Sequence, residues 1–439
     1  MNIQILLDNR RVQSVFRQSL SLALLSALVA CQKESELPPL NLKQASPEER
    51  VTKPLDAKKL HEELLTLDSH IDIPITLGIG DADPSVASPM QVDIPGMREG
   101  GLDAGFFIVY VGQGPLSEEG YQFAYLQAQK KFTAIDRMLK ASAEQMALVR
   151  TPEELRQVVA DGKLAVAIGI ENAYPIGQKF EHLQEFYDRG ARYISLTHFG
   201  NNHFADSSVE KGEQKGIAEP TNVGLSALGL SLIDEMNRLG LMVDVSHTAT
   251  SSTLAAVAYS KTPVIASHSS VMALNKHVRN LTDMEIKAIA ERGGVIQLVA
   301  FDAYLRPLSK EEVDEAVAIK KNLGLDTPEW YQTATQTKMD QLRREKAALD
   351  ERYPRTTIAR FVDHIDYVVD LVGIDHVGIA SDFGGGGGVE GWDYVVQTPS
   401  VTQELVKRGY SKEDIQKIWG GNLLRVWQVV EDYAKKTRS

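Results

Sequence analysis

Residues 241–269 read LMVDVSHTATSSTLAAVAYSKTPVIASHS. Two apolar, β-prone runs close on His247 and His268, and the stretch between them, from Ala249 to Lys261, has helical period. An uninterrupted apolar run is what a parallel strand covered on both faces requires. Parallel neighbours need a crossover, usually a helix. This stretch therefore reads as strand, helix, strand, with an imidazole at the end of each strand.

Outward from it, the same unit recurs. Eight candidate strands are LLTLDSHI, GLDAGFFIVYVG, LAVAIGIE, RYISLTHF, LMVDVSH, TPVIASHS, GGVIQLVAF and HVGIASDF. Helical periods fall between most of them, at Glu118–Ser142, Thr151–Asp161, Glu181–Gly190, Ser226–Gly240 and Asp283–Gly293. Strand and helix alternating eight times is the plan of an α/β, TIM-type (β/α)8 barrel. Residues 302–360 break the rhythm and read as a charged helical insertion before the last strand, either a lid or a solvated hairpin. A C-terminal helix, Asp414–Lys436, is expected to pack on the outside of the barrel through Trp419, Leu423, Val426, Trp427 and Val430.

The apolar runs end in chemistry. The first carries His70 and Asp72, which share a face because side chains two apart on a strand point the same way. Glu171, His198, His247, His268 and Asp382 close later runs. Each has an ordinary alternative. H-x-D is a common turn pair, Glu171 could sit in a salt bridge, and a single histidine is more often a satisfied core residue. Together, at the C-terminal ends of barrel strands, they point to a metal, and imidazole with carboxylate suits a borderline cation such as Zn²⁺.

Composition narrows the class. The chain has 439 residues, 43% hydrophobic and 24% charged, within the range of one large barrel with insertions. A formal net charge of −12 without a long basic stripe argues against nucleic-acid binding. The first 30 residues read as a signal peptide: Arg10, Arg11 and Arg17 precede an apolar run from Leu20 to Ala30, too short for a comfortable span. Leu28-Val29-Ala30-Cys31 resembles the lipobox of bacterial lipoproteins, which implies cleavage before Cys31 and lipid attachment to it. Export to a bacterial membrane, the outer one favoured by Gln32, is then expected, with the domain in the periplasm or at the cell surface. Residues 31–57, with four prolines, read as a flexible tether, and 58–439 as the catalytic domain. A lone cysteine excludes an internal disulfide.

The pieces DSHID, GIENA, RYISLTHFGNN, GLSALGLSLIDEMNRLGLMVDVSH, TPVIASHSS, VRNLTD, HVGIASDF and GNLLRV resemble the membrane (renal) dipeptidase family of zinc peptidases, amidohydrolase-type barrels. The resemblance spans Leu65 to Val430 outside the insertion. It implies that His70 and Asp72 bind one zinc, that His247 and His268 bind a second, and that Glu171 bridges the two. A hydroxide held between the metals would attack the peptide carbonyl. His198 would stabilise the oxyanion, Arg279 would pair with the free carboxylate of a dipeptide, and Asp382 would move the proton. Arg279 could otherwise cap the following helix, and Asp382 a turn. The family also implies tolerance of a D-residue on the C-terminal side, and often a homodimer, for which no interface signal stands in the sequence.

One departure marks this chain. Where the family shows D-F-D-G, it reads Asp382-Phe383-Gly384-Gly385, opening a run of glycines to Gly388. No Gly-Lys-Ser/Thr follows, so this is not a phosphate loop. The run is expected to be unusually mobile. Two rival functions remain: another amidohydrolase-type reaction on a lactam, ester or N-acyl amino acid, and a non-catalytic surface lipoprotein that binds ligands.

Overall fold

Each of the eight apolar runs forms a strand, and one short strand joins them. They are β1 (Leu67–Asp72), β2 (Ala104–Tyr110), β3 (Met146–Leu148), β4 (Leu164–Glu171), β5 (Ala191–Ser195), β6 (Met242–Asp244), β7 (Ile265–Ser269), β8 (Val295–Val299) and β9 (Val377–Ala380). This computed structural model describes residues 55–88, 90–209, 224–326 and 336–438. The expected signal segment, Cys31 and nearly all of the tether lie outside the described residues.

All pairings are parallel, in the order β1-β2-β4-β5-β6-β7-β8-β9. The two ends of that row meet. Asp382 donates its N–H to the His70 carbonyl (3.1 Å), and Asp72 donates to Phe383 (2.7 Å). The fold is a TIM-type barrel whose seam runs between β1 and β9. β3 pairs with the start of β4, Met146 opposite Leu164, and has no counterpart among the apolar runs.

Side chains alternate between two apolar clusters. Phe107, Val109, Val166, Ile168 and Ile170 face the helices, while Ala104, Phe106, Ile108, Ala165 and Ala167 face inward with Leu67, Tyr193, Met242, Ile265 and Val295. Most of the inward set lies at strand starts, so that end of the barrel presents an apolar layer that must be covered. The C-terminal helix Asn422–Arg438 covers it. Leu423, Val426, Trp427 and Val430 join the interior cluster, and the Trp427 ring lies 5.4 Å from Phe106. The expectation that this helix packs on the outside is thereby corrected. Its apolar stripe plugs the barrel, because an uncovered layer of strand-start side chains would face water.

β1 contains an irregularity that matters for the site. Its register with β2 shifts between Asp68 and Ile71. Leu67 faces inward and Ile71 faces the helices, although regular alternation would put both on one face. The bulge re-aims the strand end and turns His70 and Asp72 into the barrel mouth.

The crossover helices begin where their caps dictate. Ser117, Thr151, Ser226, Thr282 and Thr357 each accept a backbone N–H three residues on. Thr282 and Glu285 complete a reciprocal capping box. Between β8 and β9 the insertion forms helices Lys310–Asn322 and Gln336–Arg352, tied by Arg352 and Tyr353 to Glu315. The crossover helix Ile358–Val372 then returns to β9. Among the described residues, no helix is long and apolar enough to cross a membrane.

Candidate metal centre

Glu171 is the last residue of β4, His70 and Asp72 end β1, and His268 lies in β7. His198, His247 and Asp382 sit in the turns that follow β5, β6 and β9. Among the described residues, the only non-glycine residues with positive φ are Asn172 (78°), His247 (69°) and Asp382 (56°), all at this mouth. Such backbone costs of order 1 kcal/mol or more per residue and persists where the surroundings impose it.

Glu171 stands at the centre, and its two oxygens face different partners. Oε1 lies 3.0 Å from His247 Nε2, 3.2 Å from His268 Nε2 and 3.8 Å from His198 Nε2. Oε2 lies 3.7 Å from His70 Nε2. His70 Nε2 in turn lies 3.4 Å from Asp72 Oδ2 and 4.0 Å from Asp382 Oδ1. Three overlapping groups have atoms close enough to share an ion: His70, Glu171 and His268; Glu171, His198 and His247; and His70, Asp72 and Asp382. Every residue singled out from the sequence for metal or proton chemistry is therefore in one cluster.

Hydrogen bonds behind the cluster fix which imidazole nitrogens face it. The Tyr193 hydroxyl donates to the Ser69 carbonyl (2.9 Å), so it accepts from His70 Nδ1 (3.0 Å). His70 Nε2 is then a bare lone pair, buried and without a hydrogen-bond partner. Ser267 repeats the device. Its hydroxyl donates to Asp244 Oδ2 (2.6 Å) and accepts from His268 Nδ1 (2.8 Å), which leaves His268 Nε2 bare. The Nε2 atoms of His247 and His268 approach to 2.8 Å. The Nδ1 partners behind His70 and His268 lock their tautomers, while His247 Nδ1 is buried without a partner, and imidazole nitrogens aimed at one point in this way can serve as the donor set of a metal site.

The electrostatics agree. Burial first, then the charge of Arg279 and His198, holds His247 well below the ordinary imidazole pKa. Burial and His70 do the same to His268. Burial opposes a charge on His70 too, but Glu171 and Asp72 outweigh it and hold His70 well above its ordinary value. A proton and a metal ion compete for that same lone pair, and carboxylates that favour one favour the other. Burial, with Asp72 and Glu171 nearby, pushes Asp382 well above the carboxylate range. Several buried carboxylates around one point are stable only with positive charge among them.

Arg279 stands at the edge of this cluster, 2% exposed. Its Nη2 donates to the His268 carbonyl (2.9 Å) and its guanidinium lies 5.3 Å from the Tyr304 ring centre. Its Nε is buried without a partner, and it forms no ion pair among the described residues.

Sequence reasoning missed the supporting residues. Asp68 accepts from the N–H groups of His70 (3.1 Å) and Ser381 (3.0 Å), stapling the seam, and burial pushes its pKa up to about 6. Asp244, Ser267 and Tyr193 act through histidines as described, and the Tyr110 hydroxyl lies 3.4 Å from His198 Nδ1. The recurring D-S-H and D-V-S-H spacing was a faint signal for the two aspartates; nothing in the sequence pointed to the tyrosines. The glycine run, expected to be unusually mobile, is hydrogen-bonded at both ends. Gly384 donates to Gln91 Oε1 (2.9 Å), and Gly388 donates to Ala300 (2.7 Å). Here glycine is used for close fit: a Cβ on Gly385 would stand 2.3 Å from Asp382 Oδ1 and 2.4 Å from Asp72 Oδ2.

The chain is similar to known proteins in sequence and in fold. A family model described as membrane dipeptidase, peptidase family M19, matches residues 55–439. The chain is 29% identical over 398 residues to dipeptidase verJ of Clonostachys rogersoniana, covering 87% of this chain and 88% of that one. It is 30% identical to dipeptidase aclJ of Aspergillus oryzae, covering 79% and 71%. Its fold matches the crystal structure of the probable dipeptidase PvdM from Pseudomonas aeruginosa with a TM-score of 0.74 at 34% identity, covering 86% of this chain and 98% of that one.

Proposed function

The chain belongs to the membrane dipeptidase family, peptidase family M19, and from that premise we propose that it is a binuclear zinc dipeptidase that holds the free carboxylate of its substrate on Arg279. That it is a metallopeptidase acting on dipeptides follows from the family; the metal count, the metal and the residue roles are our reading. His70 and Asp72 would hold one zinc and His247 and His268 the other, with Glu171 between them, since its two oxygens face the two sides. Zinc bound there supplies Lewis acidity and a water acidic enough to attack at neutral pH.

The chain's own groups do the rest. Arg279 is a buried cation that forms no ion pair among the described residues, and this single observation carries the substrate assignment. A guanidinium fork accepts a carboxylate in two parallel hydrogen bonds, so it selects substrates with a free C-terminus close to the scissile bond. His198, held low in pKa by burial, stays a neutral donor for the carbonyl oxygen as charge develops on it. Asp382 takes a proton from the attacking water and delivers it to the departing amine.

Metal analysis together with a dipeptide panel tests this reading. Two zinc ions per chain and turnover of dipeptides, but not of their C-terminal amides, are expected. Equal turnover of neutral esters and dipeptides would move the assignment to the rival amidohydrolase-type reactions. Acceptance of a D-residue on the C-terminal side rests on the family resemblance alone. It is abandoned if L,D-dipeptides are inert where L,L-dipeptides react. Lipid attachment at Cys31 rests on residues 20–31 alone. Lipid labelling that persists in Cys31→Ser would exclude it.

A further inference from the structure

Asp382 lies in a turn with a φ of 56°, and after the buried Phe383 the backbone is a run of glycines with no side chains of its own to anchor it. Glycine loses more conformational freedom on ordering than any other residue, so such a run needs ties from elsewhere. Two side chains distant in sequence provide them. Gln91, from the loop after β1, makes three hydrogen bonds of 2.9 Å: it accepts from Gly384 N–H and donates to the Gly387 and Asp393 carbonyls. Arg355 lies between insertion helix Gln336–Arg352 and the crossover helix. It donates to the Gly388 carbonyl (2.7 Å) and pairs with Asp393 Oδ1 (2.5 Å). Gly385 and Gly387 return N–H bonds to the Asp382 carbonyl (3.1 and 2.9 Å), so the clamped loop sets the peptide that carries the Asp382 side chain.

We propose that Gln91 and Arg355 are positioning residues for Asp382, clamping the Gly384–Gly388 backbone onto the carboxylates at the barrel seam. The proposal rests on the reading of Asp382 as the proton carrier. It gives the glycine run a purpose: only glycine lets this backbone lie against Asp72 and Asp382. It also gives the insertion one, since Arg355 brings that segment to the site.

The test is a double-mutant cycle on the full, metal-loaded chain, reading kcat, KM and bound metal. Gln91→Ala is expected to lower kcat about 10- to 100-fold, the cost of a misplacement on the ångström scale. KM should stay within about threefold and metal content should equal that of wild type. Arg355→Ala should act in the same direction with a smaller loss. In an Asp382→Asn background, Gln91→Ala should change kcat by less than about twofold, because a residue acting through Asp382 has nothing left to position. Equal losses in both backgrounds, or a loss carried by KM or by missing metal, overturn the proposal. An Asp382→Asn enzyme as active as wild type would instead overturn the role of Asp382 itself. If Gln91→Ala folds poorly, Gln91→Glu keeps the acceptor for Gly384 and loses both donors, and the same kcat loss is expected.

Discussion

At the strand starts the barrel interior holds Leu67, Ala104, Phe106, Met242, Ile265 and Val295, closed off by Trp427. At the far ends of the barrel strands it holds His70, Asp72, Glu171 and His268. The lower end is built by the ordinary means: alternating strands, apolar contacts, a helix laid over an apolar layer. The mouth departs from them, with buried carboxylates, unpartnered imidazole nitrogens and all three left-handed non-glycine residues among those described. Several local rules broken together, at the ends of otherwise regular strands, mark the functional site. The difference also separates two kinds of mutational effect: at the mouth, chemistry without folding; at the base, folding without chemistry.

The largest effect should come from the mouth. Asp382→Asn is expected to lower kcat by about 10²- to 10⁴-fold, the usual worth of a positioned acid–base group. Its melting temperature should not fall, because the amide removes a carboxyl set against Asp72 and Glu171. A variant both inactive and markedly destabilised would break the comparison. At the base, Trp427→Ala should cost about 3–5 kcal/mol in denaturant unfolding. Its kcat and KM per folded, metal-loaded molecule should match wild type; a fall in kcat at full metal content would show that the two ends are coupled.

Acid provides a test away from both ends. His364 is fully buried on the crossover helix, where its Nδ1 accepts the Val271 N–H (3.2 Å). Burial, then Arg360, lowers its pKa from 6.5 to about 4. Above pH 6.5 it is neutral folded or unfolded, and the stability is whole. As pH falls through 6.5 the unfolded chain takes up a proton that the folded chain refuses, so stability is lost progressively towards pH 4. The loss reaches up to about 3 kcal/mol. His364→Gln should flatten unfolding free energy against pH over that window while leaving activity at neutral pH unchanged. An unaltered slope would assign the acid sensitivity to the mouth instead. Arg279→Ala should raise KM for dipeptides about 100-fold, roughly the worth of a charge-assisted pair lost from a buried site. It should leave a neutral ester nearly untouched and, by removing a buried cation with no ion-pair partner among the described residues, should not destabilise the fold.

The same contrast explains what could be read in advance. Apolar runs announce strands wherever both faces are buried, so eight strands and the residues closing them were legible. β3 was not, because three residues beside β4 carry no pattern of their own. The bulge in β1 was invisible: His70 and Asp72 are two apart whichever way they face, and only the pairing with β2 turns them inward. The C-terminal helix showed its apolar stripe but not what it covers, since the layer beneath it is assembled from seven strands. The glycine run advertised freedom, whereas its use is close approach, which depends on Asp72, Gln91 and Arg355 arriving from elsewhere in the chain.

Tyr193 belongs to both regions, so it offers the finest cut between them. Its ring lies 5.1 Å from Phe106 in the lower cluster, and Gly169 must lack a Cβ because that atom would stand 2.3 Å from the tyrosine Cζ. Its hydroxyl reaches upward, between the Ser69 carbonyl and His70 Nδ1. Tyr193→Phe keeps the ring and removes only the reach. Stability should fall by about 1 kcal/mol, since the Ser69 carbonyl and His70 Nδ1 each lose one hydrogen bond. Metal retention should weaken about 10- to 100-fold, as for other outer partners of a ligating imidazole. The reason is specific: without the acceptor at Nδ1, His70 can carry its proton on Nε2, where the metal must bind. Excess zinc should therefore restore activity to Tyr193→Phe, whereas it should do nothing for Asp382→Asn. If Tyr193→Phe instead unfolds as readily as Trp427→Ala and keeps its metal, the hydroxyl serves the scaffold, and the boundary between base and mouth must be drawn above Tyr193.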